Sequence, residues 1–255
     1  ARAYFGQVLE NSPAGSRSVP AMRGLAQSFA GLGKDKSAFL ILEQLYQRDT
    51  SQHSVAVKLA SLGKKLKLDE KARYYYAILA ESHPSESEYL VEAGDAHNIS
   101  GYRDKASHYF EKYLEKNPDS LVVRKKLAQC YLDMGKTESA IVHLKKVYLL
   151  ENLSSSLALR IAKLYYKDLE RPDRALFYYE QYYAVFQEDK AIAATIDRIQ
   201  RLLARQYLPI VENKATARLW HDLDVVTSNK LEIFKKIAIL FKEQGEYAEY
   251  LAVLK

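Results

Sequence analysis

Small and large apolar residues recur along this chain with a period of 34. Alanine stands at Ala38, Ala72, Ala106 and Ala140, each 34 residues apart, and again at Ala175 after 35. Four residues beyond each comes a large apolar side chain (Leu42, Tyr76, Phe110, Leu144, Tyr179), and three further on another (Leu45, Leu79, Tyr113, Val147, Tyr182). Twelve residues before the first four alanines lie Ala26, Ala60, Gly94 and Ala128, while Ala162 precedes Ala175 by thirteen. At about 100° per residue these spacings draw two apolar stripes per unit, so each unit predicts two amphipathic helices. Helix A is expected to begin at Val19, His53, Ser87, Leu121 and Ser155, burying unit positions 4, 7, 8 and 11; helix B buries positions 20, 24 and 27. Small residues at 8 and 20 let the two backbones approach closely. A larger group there overpacks the joint, at a cost of roughly 1–3 kcal/mol.

Turn residues fall in the same register. Gly33, Gly101 and Gly135 occupy position 15, where helix A ends in a left-handed cap. Pro84 and Pro118, at position 32, close helix B, and Ser85 with Glu88 predicts a capping box that opens the third helix A. The extra residue of the fifth unit is expected in its inter-helix turn, within 166–172, where an insertion is cheap.

At these residues the chain resembles the tetratricopeptide repeat family, whose pattern is apolar at 4, 7, 11 and 24, small at 8 and 20, and often Pro at 32. The third unit fits best, with Leu90, Ala93, Gly94, Ala106, Phe110 and Pro118. The resemblance implies an all-α fold, a right-handed α-solenoid of antiparallel helix pairs. It covers residues 1–187: a half repeat over 1–18, then five repeats starting near 19, 53, 87, 121 and 155. Gly63 and His97 at position 11 and Arg124 at position 4 depart from the pattern, and so do Thr50, Asn152 and Gln187, where Pro is usual. These departures are expected to weaken single joints without breaking the period.

Residues 188–255 read as a helical extension with degenerate helices of the same kind. Ile192, Ile196, Ile199 and Leu203 form one apolar stripe, Asp197 stands where a small residue is expected, and Pro209 is expected to end that helix. Trp220 falls on a short helix after it, and Phe234, Ile237, Ala238, Phe241 and Gly245 resemble a further helix A. At the other end Ala1, Phe5, Val8 and Pro13 match a helix B without its helix A. Neither end reads as a polar cap, the expectation for a piece of a longer repeat protein.

Composition narrows the function. Ten Gly and six Pro in 255 residues leave little for turns, and a hydrophobic fraction of 48% excludes wholesale disorder. The one cysteine, Cys130, excludes an internal disulfide and a cysteine metal cluster. That suits a reducing compartment, so a soluble, cytoplasmic protein is expected, although a disulfide-free periplasmic one has the same count. No apolar run reaches the ~18–20 residues a membrane span needs. Gly31–Ser37 superficially resembles a phosphate loop, but it lacks the required glycine spacing and sits between two helices. The six histidines offer no short metal-ligand pair; His97 reads as a hydrogen-bonded core residue and Cys130 as packed. No catalytic residue, metal site or cofactor is assigned, and no enzyme is expected. The twenty tyrosines are read mainly as inter-helix packing, their hydroxyls reaching water or carbonyls, with an aromatic recognition wall as the alternative.

Net charge is +6, and most of it maps to the helix A face opposite the buried stripe. Arg23 and Gln27 lie there in the first repeat, and Lys58, Lys64 and Lys65 in the second. Glu88, Glu92, Asp95 and Asn98 make the third repeat acidic. Lys125 and Gln129 in the fourth, with Arg160, Lys163 and Tyr166 in the fifth, restore a basic surface. Some family members clamp a terminal carboxylate of chaperones with Lys and Asn at positions 5 and 9. Here Arg23, Gln27, Lys58, Glu88 and Glu92 stand in that window, so chaperone-tail binding is not assigned. The resemblance implies a non-catalytic scaffold whose concave groove binds a peptide or helix of a partner, an acidic one by charge, within a larger assembly. The alternative is an RNA-binding helical repeat using the basic groove. Position 5 reads Arg23, Val57, Val91, Lys125, Leu159, which carries no recurring polar code for bases, and acidic repeat three repels phosphate.

Overall fold

A computed structural model of the chain describes residues 19–211, with side chains as far as Leu203. The half repeat expected over 1–18, Trp220 and the stripe from Phe234 to Gly245 lie outside the described residues. Among the described residues there are helices and no strand. The chain divides into two compact units, one ending at Leu150 and the other beginning at Glu151. In the first unit the helices are α1 (Val19–Gly31), α2 (Asp35–Arg48), α3 (His53–Lys65), α4 (Asp69–Ser82), α5 (Ser87–Ile99), α6 (Arg103–Lys116), α7 (Leu121–Asp133) and α8 (Thr137–Leu150). Each packs on the next in order, so four helix pairs stack as an all-α solenoid. The second unit holds α9 (Ser155–Lys163) with a π-helical turn over Leu164–Asp168, α10 (Pro172–Val185) and α11 (Lys190–Val211), again packed in order.

Local chemistry explains the helix starts. The residues preceding α2, α4, α6 and α10 (Lys34, Leu68, Tyr102, Arg171) make no side-chain cap bond. Each of these helices instead carries acid in its first turn: Asp35, Asp69 with Glu70, Asp104 and Asp173. A carboxylate there faces the positive end of the helix dipole and the unbonded N–H groups. The capping box expected of Ser85 does not form. Helix α5 starts at Ser87 after Glu86, which also makes no side-chain cap bond.

The helix A ends share one device. The N–H of position 16 donates to the carbonyl of position 11: Lys34 to Phe29 at 2.9 Å, Leu68 to Gly63 at 2.9 Å, Tyr102 to His97 at 2.9 Å and Lys136 to Tyr131 at 2.8 Å. Position 15 is left-handed in all five repeats, supplied by Gly33, Gly101 and Gly135 but also by Lys67 (φ 56°) and Glu170 (φ 51°). In the fifth repeat the same closure runs from Arg171 to Tyr165 at 2.8 Å, one residue longer. The extra residue is wound into the π-helical turn, where Leu169 N–H reaches back to Leu164 at 3.1 Å, and not simply spliced into the inter-helix loop.

The stripes bury as their spacing requires. Ala38, Leu45, Leu59, Ala60, Ala93, Ala106, Phe110, Leu127, Ala128, Ala140 and Leu144 are fully buried in the first unit. Gly63, expected to weaken its joint, is buried against α4. A Cβ there would sit 3.1 Å from the Ala72 backbone nitrogen, so glycine allows α3 and α4 to close. His97 is buried, and its Nδ1 donates to the Ala93 carbonyl at 2.8 Å. Arg124 leaves the core through its guanidinium, which donates to the Pro118 carbonyl. In the second unit Ala158, Ile161, Ala162 and Ala175 are fully buried, and Ile192, Ile196, Ile199 and Leu203 turn into the core. Asp197 faces solvent and pairs with Arg201 at 3.0 Å, while α11 runs through Pro209 to Val211 rather than ending there.

Candidate functional site

Arg23 and Gln27 on α1 and Lys58 on α3 are exposed and border one cleft of about 310 Å³. Its floor is apolar, made by Ala26, Ala30, Leu42, Val55 and Leu62, with Ser54 and Ser61 at the edge. Among the described residues, no carboxylate lines it. The Arg23 guanidinium is held by a hydrogen bond to Gln52 Oε1 at 2.9 Å, and Gln52 Nε2 in turn donates to Asp49 Oδ2 at 3.0 Å. Asp49 also accepts from the Ser51 hydroxyl at 2.6 Å and backbone N–H at 3.0 Å, and these bonds hold its carboxyl below the usual range. Sequence reasoning missed Gln52 as a positioning residue. The signal was present in the Asp49–Gln52 turn, whose polar side chains favour local bonds over helix.

The other candidate charges meet one another. Lys64 pairs with Glu92 at 2.6 Å, joining the second repeat to the third. Lys126 pairs with Asp95 at 2.5 Å, joining the fourth to the third. Lys65 turns to Asp35 at 2.7 Å, so it serves the start of α2. Asn98 accepts from the Cys130 thiol, sulfur to oxygen 3.5 Å. Glu88, Lys125 and Gln129 are exposed, and Gln129 donates to Asp133 at 2.7 Å. The acidic third repeat is therefore compensated by its neighbours, and the sign contrast expected along the groove is damped. In the second unit, Arg160 and Lys163 are exposed on α9; Tyr166 meets the Tyr179 ring edge-on at 6.2 Å and borders an open cleft of about 520 Å³ with Leu202 and Arg171.

The tyrosines pack, and their hydroxyls meet carboxylates more than carbonyls. Tyr75 reaches Glu43 at 3.4 Å, Tyr182 reaches Asp189 at 3.2 Å, and Tyr131 donates to Glu111. Burial, and next to it the Glu111 carboxylate, push Tyr131 up to about 12. Tyr46 and Tyr75 meet at right angles at 5.4 Å, and Tyr165 stacks on Tyr178 at 5.9 Å. Burial raises the Cys130 thiol to about 11, which removes it as a nucleophile near neutrality. Among the described residues, no three His, Cys, Asp or Glu side chains converge to hold a metal ion, and no helix is long and apolar enough to cross a membrane.

The family model of the tetratricopeptide repeat matches residues 100–147, which span α6, α7 and most of α8. Among solved structures the chain is similar to the MamA protein, with a TM-score of 0.52 at 16% identity over 68% of this chain and 93% of that one. It is likewise similar to MamA AMB-1, with a TM-score of 0.52 at 21% identity over 70% of this chain and 97% of the other. YrrB, described as a TPR protein with an unusual peptide-binding site, gives a TM-score of 0.52 at 13% identity over 78% of this chain and 100% of its own. These identities establish likeness of fold. No curated protein matches the sequence.

Proposed function

We propose that this chain, whose helix pairs resemble tetratricopeptide repeats and whose residues 100–147 match that family's model, is a non-catalytic scaffold holding a partner's peptide or helix against the inner face of its helices A. The observation that carries this reading is the cleft between α1 and α3. It joins an apolar floor to two cations, Arg23 and Lys58, with no acid among the described residues that line it. Lys58 forms no ion pair among the described residues. An aliphatic side chain would bury on the floor while a neighbouring acidic residue meets the rim, the usual division between affinity and selectivity. Lys125 and Gln129 extend this surface in the first unit; Arg160, Lys163 and Tyr166 offer a separate patch in the second. YrrB is described as binding peptide, and the same use is carried here to a chain of the same fold. Carboxylate pairing of Lys64, Lys65 and Lys126 leaves fewer cations for a phosphate backbone, which favours peptide over RNA.

The test begins with a pull-down by the whole chain and peptide mapping of the segment recovered. Arg23→Glu with Lys58→Glu is expected to weaken that segment about tenfold, since two favourable contacts become repulsive. The melting temperature should stay unchanged, because both side chains are exposed. Undiminished affinity, or tight binding of single-stranded RNA at ~50 mM salt in place of peptide, would refute the proposal.

A further inference from the structure

The solvent face of α8 differs from those of the other helices B in the first unit. At unit position 25, the first and third repeats carry Glu43 and Glu111, and both are engaged: Glu43 by Lys71, Glu111 by the Tyr131 hydroxyl. The fourth repeat has Lys145 there, followed by Lys146. At position 29 the first three repeats carry Gln47, Glu81 and Glu115, all exposed. The fourth has Leu149, 62% exposed, in place of those polar residues; one turn before Lys146 stands Val142, 65% exposed, at position 22, where the first and second repeats likewise expose Leu40 and Tyr74. Val142, Lys145, Lys146 and Leu149 are spaced i, i+3, i+4 and i+7, so they form one ridge on one face, and the exposed Leu150 flanks it. Neither lysine forms an ion pair among the described residues. Glu138, at the N-terminal end of the ridge, is the acid on this face of α8.

We infer that this outer face of α8 is a second docking surface, separate from the inner groove, and that its occupant is an acidic amphipathic helix of a partner protein. A solvated helix face needs no leucine and valine at heptad spacing. Burying those two against a partner's apolar ridge is the helix-on-helix mode, which places side chains of one helix between those of the other. The paired lysines between them select carboxylates on the arriving helix and repel a basic one. The short length of the ridge, about two turns, suits a single helix better than a second folded domain, which needs a larger patch.

The whole chain tests this with a designed peptide of about four heptads, Leu at a and d and Glu at e and g. The comparison probes are its Lys-for-Glu twin and vesicles containing phosphatidylserine. The Glu peptide should bind and the Lys twin should not. Lys145→Glu with Lys146→Glu should weaken the Glu peptide at least about fivefold, whereas Lys34→Glu with Lys36→Glu, an equal change of net charge at the start of α2, should not. Val142→Ser with Leu149→Ser should weaken it comparably, and Arg23→Glu with Lys58→Glu should leave it unchanged. Equal weakening by both lysine pairs, loss through the Arg23 and Lys58 reversal, preference for the vesicles, or no binding at ~1 mM peptide would each overturn the inference.

Discussion

Gly94 is where two physical effects oppose each other with known sizes. It sits mid-helix on α5, and intrinsic propensity favours alanine there by roughly 0.5–1 kcal/mol. The structure opposes the change. A Cβ on Gly94 would lie 2.5 Å from Phe110 Cε1 and 2.7 Å from Cδ1, against about 3.5–4.0 Å for ordinary carbon contact. The Phe110 ring would have to retreat by roughly 1 Å from a fully buried position. Overpacking costs about 1–3 kcal/mol, and a contact as short as this one belongs in the upper part of that range, about 2–3 kcal/mol, so after a propensity gain of up to about 1 kcal/mol Gly94→Ala should be a net loss of about 1–2 kcal/mol. For a chain of this size that lowers the melting temperature by roughly 2–8 °C, measured by circular dichroism. The first and fourth repeats carry Ala26 with Leu42 and Ala128 with Leu144 at these two positions, while the second and fifth accommodate Ala60 with Tyr76 and Ala162 with Tyr179, so the clash belongs to the placement of the Phe110 ring and a leucine there removes it. Phe110→Leu should therefore rescue Gly94→Ala, with a coupling of about 1 kcal/mol or more in the double-mutant cycle. A neutral or stabilising Gly94→Ala, or strictly additive effects, would refute the reasoning.

Two further outcomes follow from burial and charge. Ala128→Leu, at a fully buried joint, should cost about 1–3 kcal/mol, whereas Lys64→Ala, losing an exposed pair with Glu92, should cost under about 1 kcal/mol; equal shifts in urea midpoint would overturn the inward and outward assignment. Burial first, then the nearby cations Arg73 and Lys105, lower His97, and burial with Arg124 lowers His143, both from the ordinary 6.5. The unfolded chain then binds more protons, so this stability is complete above about pH 6.5 and is lost as pH falls from there through the folded values. Melting temperature should drop between pH 7.5 and 5.5, and less so with His97→Gln; a pH-independent midpoint counts against it.

Much of the fold was legible because its joints are short-range and repeated. Ala60, Ala128 and Ala162 carry the period in their size alone, and the helix starts at His53, Ser87, Leu121 and Ser155 follow from it. Glycine at position 15 marked three of the left-handed caps. Lys67 and Glu170 adopt the same conformation without glycine, so composition could not reveal them. The surplus residue of repeat five was visible as a 35-residue step, but spacing does not say whether a helix or a loop absorbs it.

Periodicity determines which face of each helix leaves water, because burial of apolar area is additive along one rod and needs no knowledge of its neighbours. Pairing is different, since Coulomb attraction and hydrogen bonds depend on distances of a few ångströms between groups some thirty residues apart. Only the folded stack decided that Lys64 and Lys126 answer Glu92 and Asp95, that Lys65 is drawn to Asp35, and that Arg23 and Lys58 border one apolar cleft.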